Sequence, residues 1–189
     1  MESALVVSHS EKSIAFFVDM LNVSSCSQIS TLSSCDEARR LLLERDFDLV
    51  IINAPLRDES GEDLARHIAT MGISQVILIV KSEYFDEVSS STEGDGVLVI
   101  ASPVNSDILW SALKLAKAAQ NRVKRLQAEN SKLIQKIEDI KIIDRAKCIL
   151  ISFLSITEQE AHRYIEKQAM DMRASRRSVA EGILKTYEE

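Results

Sequence analysis

The sequence predicts a doubly wound α/β domain of five parallel strands, followed by a long coiled-coil helix and a small three-helix bundle. Three observations carry this expectation. Short apolar runs alternate with amphipathic stretches over residues 1–120. Neither Pro nor Gly then interrupts the chain from Ser106 to Glu181. Helix-start signals at Thr157 and Ser175 divide the C-terminal segment into three helices.

The strand candidates are Ala4–Ser8, Ser27–Leu32, Leu49–Asn53, Val76–Val80 and Val97–Ala101. They are rich in Val and Ile and do not alternate with polar residues, which fits parallel strands covered on both faces. Between them lie helical patterns near residues 11–22, 35–45, 60–70 and 83–90. Strand–helix alternation at this spacing predicts a doubly wound sheet with its working crevice at the strand carboxyl ends.

From Ser106 onward, Ala112, Ala116, Ala119, Val123, Leu126, Asn130, Leu133, Ile137 and Ile140 follow spacings of three and four. That is a heptad seam, the signature of a left-handed coiled coil. The dimerising set is expected to be Val123, Leu126, Asn130, Leu133, Ile137 and Ile140. Asn130 falls at a position where a buried amide favours an in-register pair of helices. For the alanine-rich start, packing within the chain competes equally with dimerisation. The boundaries expected are a domain over 1–119, a last helix running into the connector over 106–140, and the bundle over 136–189.

In the bundle, Thr157 with Glu160 forms a capping box and Ser175 suits an N-cap. Ile142, Ile143, Ala146, Ile149, Leu150 and Phe153 share one face of the first helix. Ala161, Tyr164, Ile165, Ala169, Val179, Ala180, Ile183 and Leu184 are placed to cover it. The other face carries Lys141, Asp144, Arg145 and Lys147. Arg173, Arg176 and Arg177 cluster where the second helix hands over to the third. Cations at a helix N-terminus oppose its dipole at a cost of ~0.3–1 kcal/mol each. A bound phosphate offsets that cost.

The net charge of −6 over 189 residues is unevenly spread. Residues 1–119 hold 9 Lys/Arg against 18 Asp/Glu, whereas residues 120–189 hold 14 against 11. An acidic regulatory half and a polyanion-compatible output half follow. No apolar run approaches the ~18 residues that span a bilayer, and the N-terminus lacks the features of a secretory signal. Cys26, Cys35 and Cys148 fit no zinc or CxxC spacing and read as reduced thiols of a cytoplasmic protein. No nucleophile–base constellation points to an enzyme, and neither a catalytic residue, a cofactor nor a metal is expected.

Two resemblances give these patterns a function. Asp48-Leu-Val-Ile-Ile-Asn53, followed by Gly61 and Leu64, resembles the third strand of the flavodoxin-like receiver domain of response regulators. Asn53 then stands where the family has its phospho-accepting aspartate. His9 and Ser10 stand for the acidic pair, Val80 for the hydroxyl residue and Ser102 for the lysine. An amide neither attacks an acyl phosphate nor supplies charge to Mg²⁺, so Asn53 is expected not to be phosphorylated. Ala146-Lys147, Thr157-Glu158, Ala161, Ala169-Met170 and Ala180 resemble the ANTAR module over about Lys136–Leu184. Cys148 and Ser155 stand in place of family glycines.

The resemblance implies a homodimeric transcription antiterminator with a degenerate receiver. Its partner would be paired hairpins of leader RNA, contacted at their loops, and its control a sequestering regulatory protein rather than a kinase. The RNA-contacting residues expected are Lys141, Arg145, Ala146, Lys147, Tyr164, Arg173, Arg176 and Arg177, with His162 a further aromatic candidate. The alternative is an interaction adaptor that has lost RNA affinity.

Overall fold

The computed structural model describes residues 1–72 and 74–187; Ile73, and Glu188 and Glu189 at the end of the expected bundle, lie outside the described residues. The chain divides into two compact units, Met1–Lys124 and Arg125–Glu189.

In the first unit five strands form one parallel sheet in the order β2-β1-β3-β4-β5. They are β1 (Ser3–Val7), β2 (Gln28–Leu32), β3 (Leu49–Asn53), β4 (Gln75–Lys81) and β5 (Leu98–Ser102). The helices are α1 (Glu11–Val23), α2 (Cys35–Glu44), α3 (Glu62–Met71), α4 (Phe85–Thr92) and the start of α5 (Ser106–Leu154). Successive strand residues point to opposite faces. Val50, Ile52 and Leu78 therefore pack with Ala38 and Leu64 of α2 and α3. Leu49, Ile51, Ile77 and Ile79 pack with Phe17 and Leu21 of α1 and Leu109 and Leu113 of α5. The edge strand β2 has no fully buried residue, unlike the central β3.

Local chemistry sets the helix starts. The hydroxyls of Ser10 and Ser34 accept from the backbone N–H of Ser13 and Glu37, capping α1 and α2. Gly61 opens α3 with φ +91°, and a Cβ there would meet Ile52 Cγ2 at 2.9 Å. The position thus requires glycine on both conformational and steric grounds.

The first stretch of α5 is inside the fold. Ala112 and Ala116 are buried with Leu109 and Leu113 against the sheet. Of the two readings left open for this stretch, packing within the chain holds, because the small alanines let the helix approach the strands and leave those positions no surface for a second helix. Near the end of this stretch lies a polar fastening. Buried Asp48, at the foot of β3, accepts from Lys124 Nζ at 2.8 Å, from the Glu2 N–H and from Gln120 Nε2 at 3.4 Å. Gln75 Nε2 donates in turn to Gln120 Oε1 at 3.3 Å.

In the second unit the remainder of α5 is followed by α6 (Glu158–Asp171) and α7 (Arg176–Tyr187). The Thr157–Glu160 capping box forms in full. Ser155, in place of a family glycine, takes the left-handed conformation at φ +50°, and Arg173 does the same between α6 and α7. Ala146, Leu150, Ala161, Ile165, Val179, Ala180 and Ile183 make the core. Two expected core residues lie elsewhere. Phe153 is 62% exposed and meets Tyr187 at a ring distance of 5.0 Å, and Tyr164 is 42% exposed. Three short helices enclose too little volume to bury every aromatic.

Burial works against the Asp48 carboxylate, but the donors from Glu2 and Lys124 prevail and hold it down at about 2. An unfolded aspartate titrates near ~3.9. The stabilisation is therefore complete above about pH 4 and is lost as pH falls through about 2. Asp48→Asn should weaken the first unit by about 2 kcal/mol at neutral pH, with the gap closing towards pH ~2. Denaturant titrations followed by the single tryptophan, Trp110, measure this.

Candidate nucleic-acid interface

The crevice at the carboxyl ends of the strands is the first place to seek chemistry. Asn53, the last residue of β3, donates from Nδ2 to the Ser8 hydroxyl at 3.1 Å. The Ser10 N–H donates to that same hydroxyl at 3.2 Å. The residue facing Asn53 is therefore Ser8, fully buried, rather than His9 or Ser10. Ser82 Oγ donates to the Ser102 carbonyl at 2.6 Å. Asp58 accepts from the Asp36 N–H at the start of α2, at 3.1 Å. Burial opposes its charge, yet this bond and its neighbours hold the carboxyl below its usual range. Among the described residues no group of His, Cys, Asp or Glu is arranged to hold a metal ion. Neutral hydroxyls and amides thus occupy the centre of the crevice.

The second unit offers a different arrangement. Lys136, Asp139, Ile140, Ile143, Asp144 and Lys147 recur at spacings of three and four along α5, so they line one face. His162 of α6 and Ser175, Arg176 and Arg177 at the start of α7 close an open groove of about 540 Å³ over that face. Isoleucines form its floor, and charges of both signs form its walls.

Ion pairs hold the walls. Lys147 Nζ bonds Asp144 Oδ1 at 2.7 Å and Glu158 Oε1 at 3.3 Å, and its side chain is only 14% exposed. The Asp144 bond, reinforced by Glu158, raises the lysine above its ordinary value. Arg177 donates to Glu181 at 2.7 Å and across to Asp139 at 2.8 Å. Glu181 first, then Asp139, raise the Arg177 guanidinium, while Gln135 and Arg177 lower the Asp139 carboxyl. Arg176 Nη1 reaches Glu166 at 3.1 Å, and His162 Nε2 lies 3.3 Å from the same oxygen. Exposed pairs of this kind contribute only ~0–1 kcal/mol each. Their structural effect is to set where the cations stand.

Residues 131–184 match the family model described as the ANTAR domain. The chain joins a receiver-fold unit to an ANTAR domain. It is 28% identical over 139 residues to the transcriptional regulatory protein PdtaR of Mycobacterium tuberculosis, covering 74% of this chain and 68% of that protein. The receiver fold is shown by solved structures. The signal receiver domain of an HD domain-containing protein from Pseudomonas fluorescens superposes with a TM-score of 0.58 at 20% identity, over 66% of this chain and 92% of that one. A response regulator receiver domain from Clostridium thermocellum gives 0.57 at 23% identity, over 67% and 99%.

The ANTAR groove gathers four of the contact candidates singled out in the sequence, Lys147, His162, Arg176 and Arg177. Lys141, Arg145, Tyr164 and Arg173 do not line it. Lys141 and Arg173 are exposed, and no ion pair among the described residues involves them. Ala146 is corrected: it has no exposed surface, its methyl packs against α6 and α7, and it has none to offer a ligand. Lys136, Asp139, Asp144 and Ser175 were missed. Their signal was present, since all but Ser175 share the three-and-four spacing of Ile140 and Ile143. What the spacing does not reveal is which side of α5 the other two helices leave open. No helix of the described residues is long and apolar enough to cross a membrane.

Proposed function

We propose that this chain is a dimeric RNA-binding transcription antiterminator, acting on hairpins of nascent leader RNA and controlled without aspartate phosphorylation. The observation that carries this reading is the ANTAR domain with Lys147, Arg176, Arg177 and His162 set around one groove. It lies in the cationic half of an otherwise acidic chain. Unpaired loop bases expose faces and edges that such a surface can read, whereas A-form grooves present little to side chains. Binding to the loops of two hairpins would keep the transcript from forming a terminator.

Pairing of the chain is supported by α5 after Lys124. Leu126, Leu133, Ile137 and Ile140 are each more than half exposed along the heptad seam, with Asn130 among them. Exposed leucines and isoleucines at such spacing suit a second helix of the same kind. A dimer would present two ANTAR domains to two hairpins and raise avidity through effective concentration. Control is then left to a sequestering protein or to abundance, since a Ser8–Asn53 pair offers phosphate chemistry neither nucleophile nor metal site. One observation favours the adaptor reading instead: Lys147, Arg176 and Arg177 already hold carboxylates.

Fluorescence anisotropy of the full chain with a two-hairpin leader RNA separates the readings. Affinity should fall steeply between ~50 and ~200 mM salt. Arg173→Ala should weaken binding about fivefold, as for loss of one charge-assisted phosphate contact. Lys147→Ala should do at least as much, because it also releases Asp144 and Glu158. Equal affinity for scrambled loops contradicts specific recognition, and no binding at ~50 mM salt favours the adaptor.

Leu133→Glu should convert the dimer to monomer in sedimentation while the helical signal of the ANTAR domain persists; an unchanged sedimentation coefficient contradicts the seam. Beryllofluoride with Mg²⁺ should leave both the oligomeric state and RNA affinity unchanged. An adduct or a change in either contradicts phosphorylation independence.

A further inference from the structure

We infer that the groove of the ANTAR domain receives one unstacked nucleobase bearing an exocyclic amino group, and that the Asp144 carboxylate reads that group. The inference rests on the RNA-binding reading and gives it a subsite.

The groove has the size of a small-ligand site. Its volume of about 540 Å³ accommodates one nucleotide and excludes a duplex. Ile143, which lies outside the dimer seam, offers apolar surface to the flat face of a base, as flipped or splayed bases pack against apolar side chains. The groove is lined by four cations, Lys136, Lys147, Arg176 and Arg177, and two carboxylates, Asp139 and Asp144, while Glu158, Glu166 and Glu181 pair with three of the cations. Lys136 makes no ion pair among the described residues, and Arg176 bonds Glu166 through Nη1 alone, so both can meet flanking phosphates.

The carboxylates are the informative residues. A phosphate site gains nothing from them, because they repel the ligand. Asp139 is committed, accepting from Gln135 Nε2 at 2.9 Å and from Arg177 at 2.8 Å. Asp144 is not. Its side chain is 55% exposed and bonds Lys147 at Oδ1, and a carboxylate has acceptor sites for more than one donor. A carboxylate oxygen beside an apolar floor fits a donor on a base edge, and the exocyclic amino groups of cytosine, adenine and guanine supply one. Uracil has no such group. Lys147 bonds Asp144 Oδ1 at 2.7 Å and so holds the carboxylate in place, which gives the lysine a positioning role as well. A free phosphate would need no apolar lining.

The test uses the full-length protein and the two-hairpin leader RNA, with each loop nucleotide replaced in turn by an abasic site. A second series replaces each amino-bearing base by a counterpart without an exocyclic amino group: uridine for cytidine, and inosine for guanosine or adenosine. In the wild-type protein one position per loop should lose about tenfold in affinity in both series. Asp144→Ala should bind the unaltered RNA about tenfold more weakly and lose nothing further from removal of the amino group at that position. Circular dichroism melting confirms that the variant folds, since Asp144 is half exposed. Scans that cost Asp144→Ala as much as wild type overturn the inference while leaving RNA binding intact. A wild-type protein that binds neither hairpin removes the RNA reading and the inference together. A fall in oligomeric state in Asp144→Ala also overturns it, by making the groove an interface between copies.

Discussion

The apolar surface of α5 governs the rest of the molecule, because it is covered in some stretches and left open in others. Leu109 and Leu113 are almost wholly buried against the sheet, and Ala112 and Ala116 are small enough to let them reach it. Past Lys124 the same chemistry meets solvent: Leu126, Leu133 and Ile137 are exposed, although burying such a side chain is worth ~1.5–3 kcal/mol. Then Ala146 and Leu150 return to a core, covered by α6 and α7. The changeover is marked by the polar fastening of Lys124 and Gln120 to Asp48, whose carboxylate stays charged because donors surround it. The open stretch is the reason this chain is read as working in pairs.

Much of this was legible in the sequence. The strands stand out because a parallel sheet covered on both faces demands continuous β-branched runs, and Leu49–Asn53 coincides with the strand observed. The bundle was legible from its caps, since Thr157 and Glu160 form a reciprocal hydrogen-bonded pair that requires nothing distant. What failed depends on distant partners. Periodicity says that one face of a helix is apolar, not which neighbour covers it, so for Ala112 and Ala116 a seam and packing within the chain stood equal. Phe153 was assigned to a core that the short helices leave open. Ser8 was passed over because its role is defined by Asn53, 45 residues away. Asp144 was read only as part of the charged face of the first bundle helix, and α6 and α7 make that face one side of a groove.

The two units differ in physical terms. In the receiver-fold unit, the Asn53 amide and the Ser8 hydroxyl bond one another at the carboxyl end of the sheet, and Ser82 bonds the Ser102 carbonyl. In the ANTAR domain, the cations are held by carboxylates instead of packing away, and the groove between them stays open. Ion pairs at a nucleic-acid surface reduce its attraction for any polyanion and leave selective contacts to decide the partner. That balance suits a regulator meant to ignore most transcripts in an otherwise acidic chain.

The central claim is that two copies of this chain engage one leader RNA without a phosphoryl signal. Native mass spectrometry of the full-length protein with a two-hairpin RNA, in the absence of any phosphodonor, tests it most directly. The account predicts a complex of two chains and one RNA, reduced to a weaker, single-hairpin mode of binding when either loop is deleted. A complex of one chain per RNA, or one that forms only after acetyl phosphate is added, contradicts it.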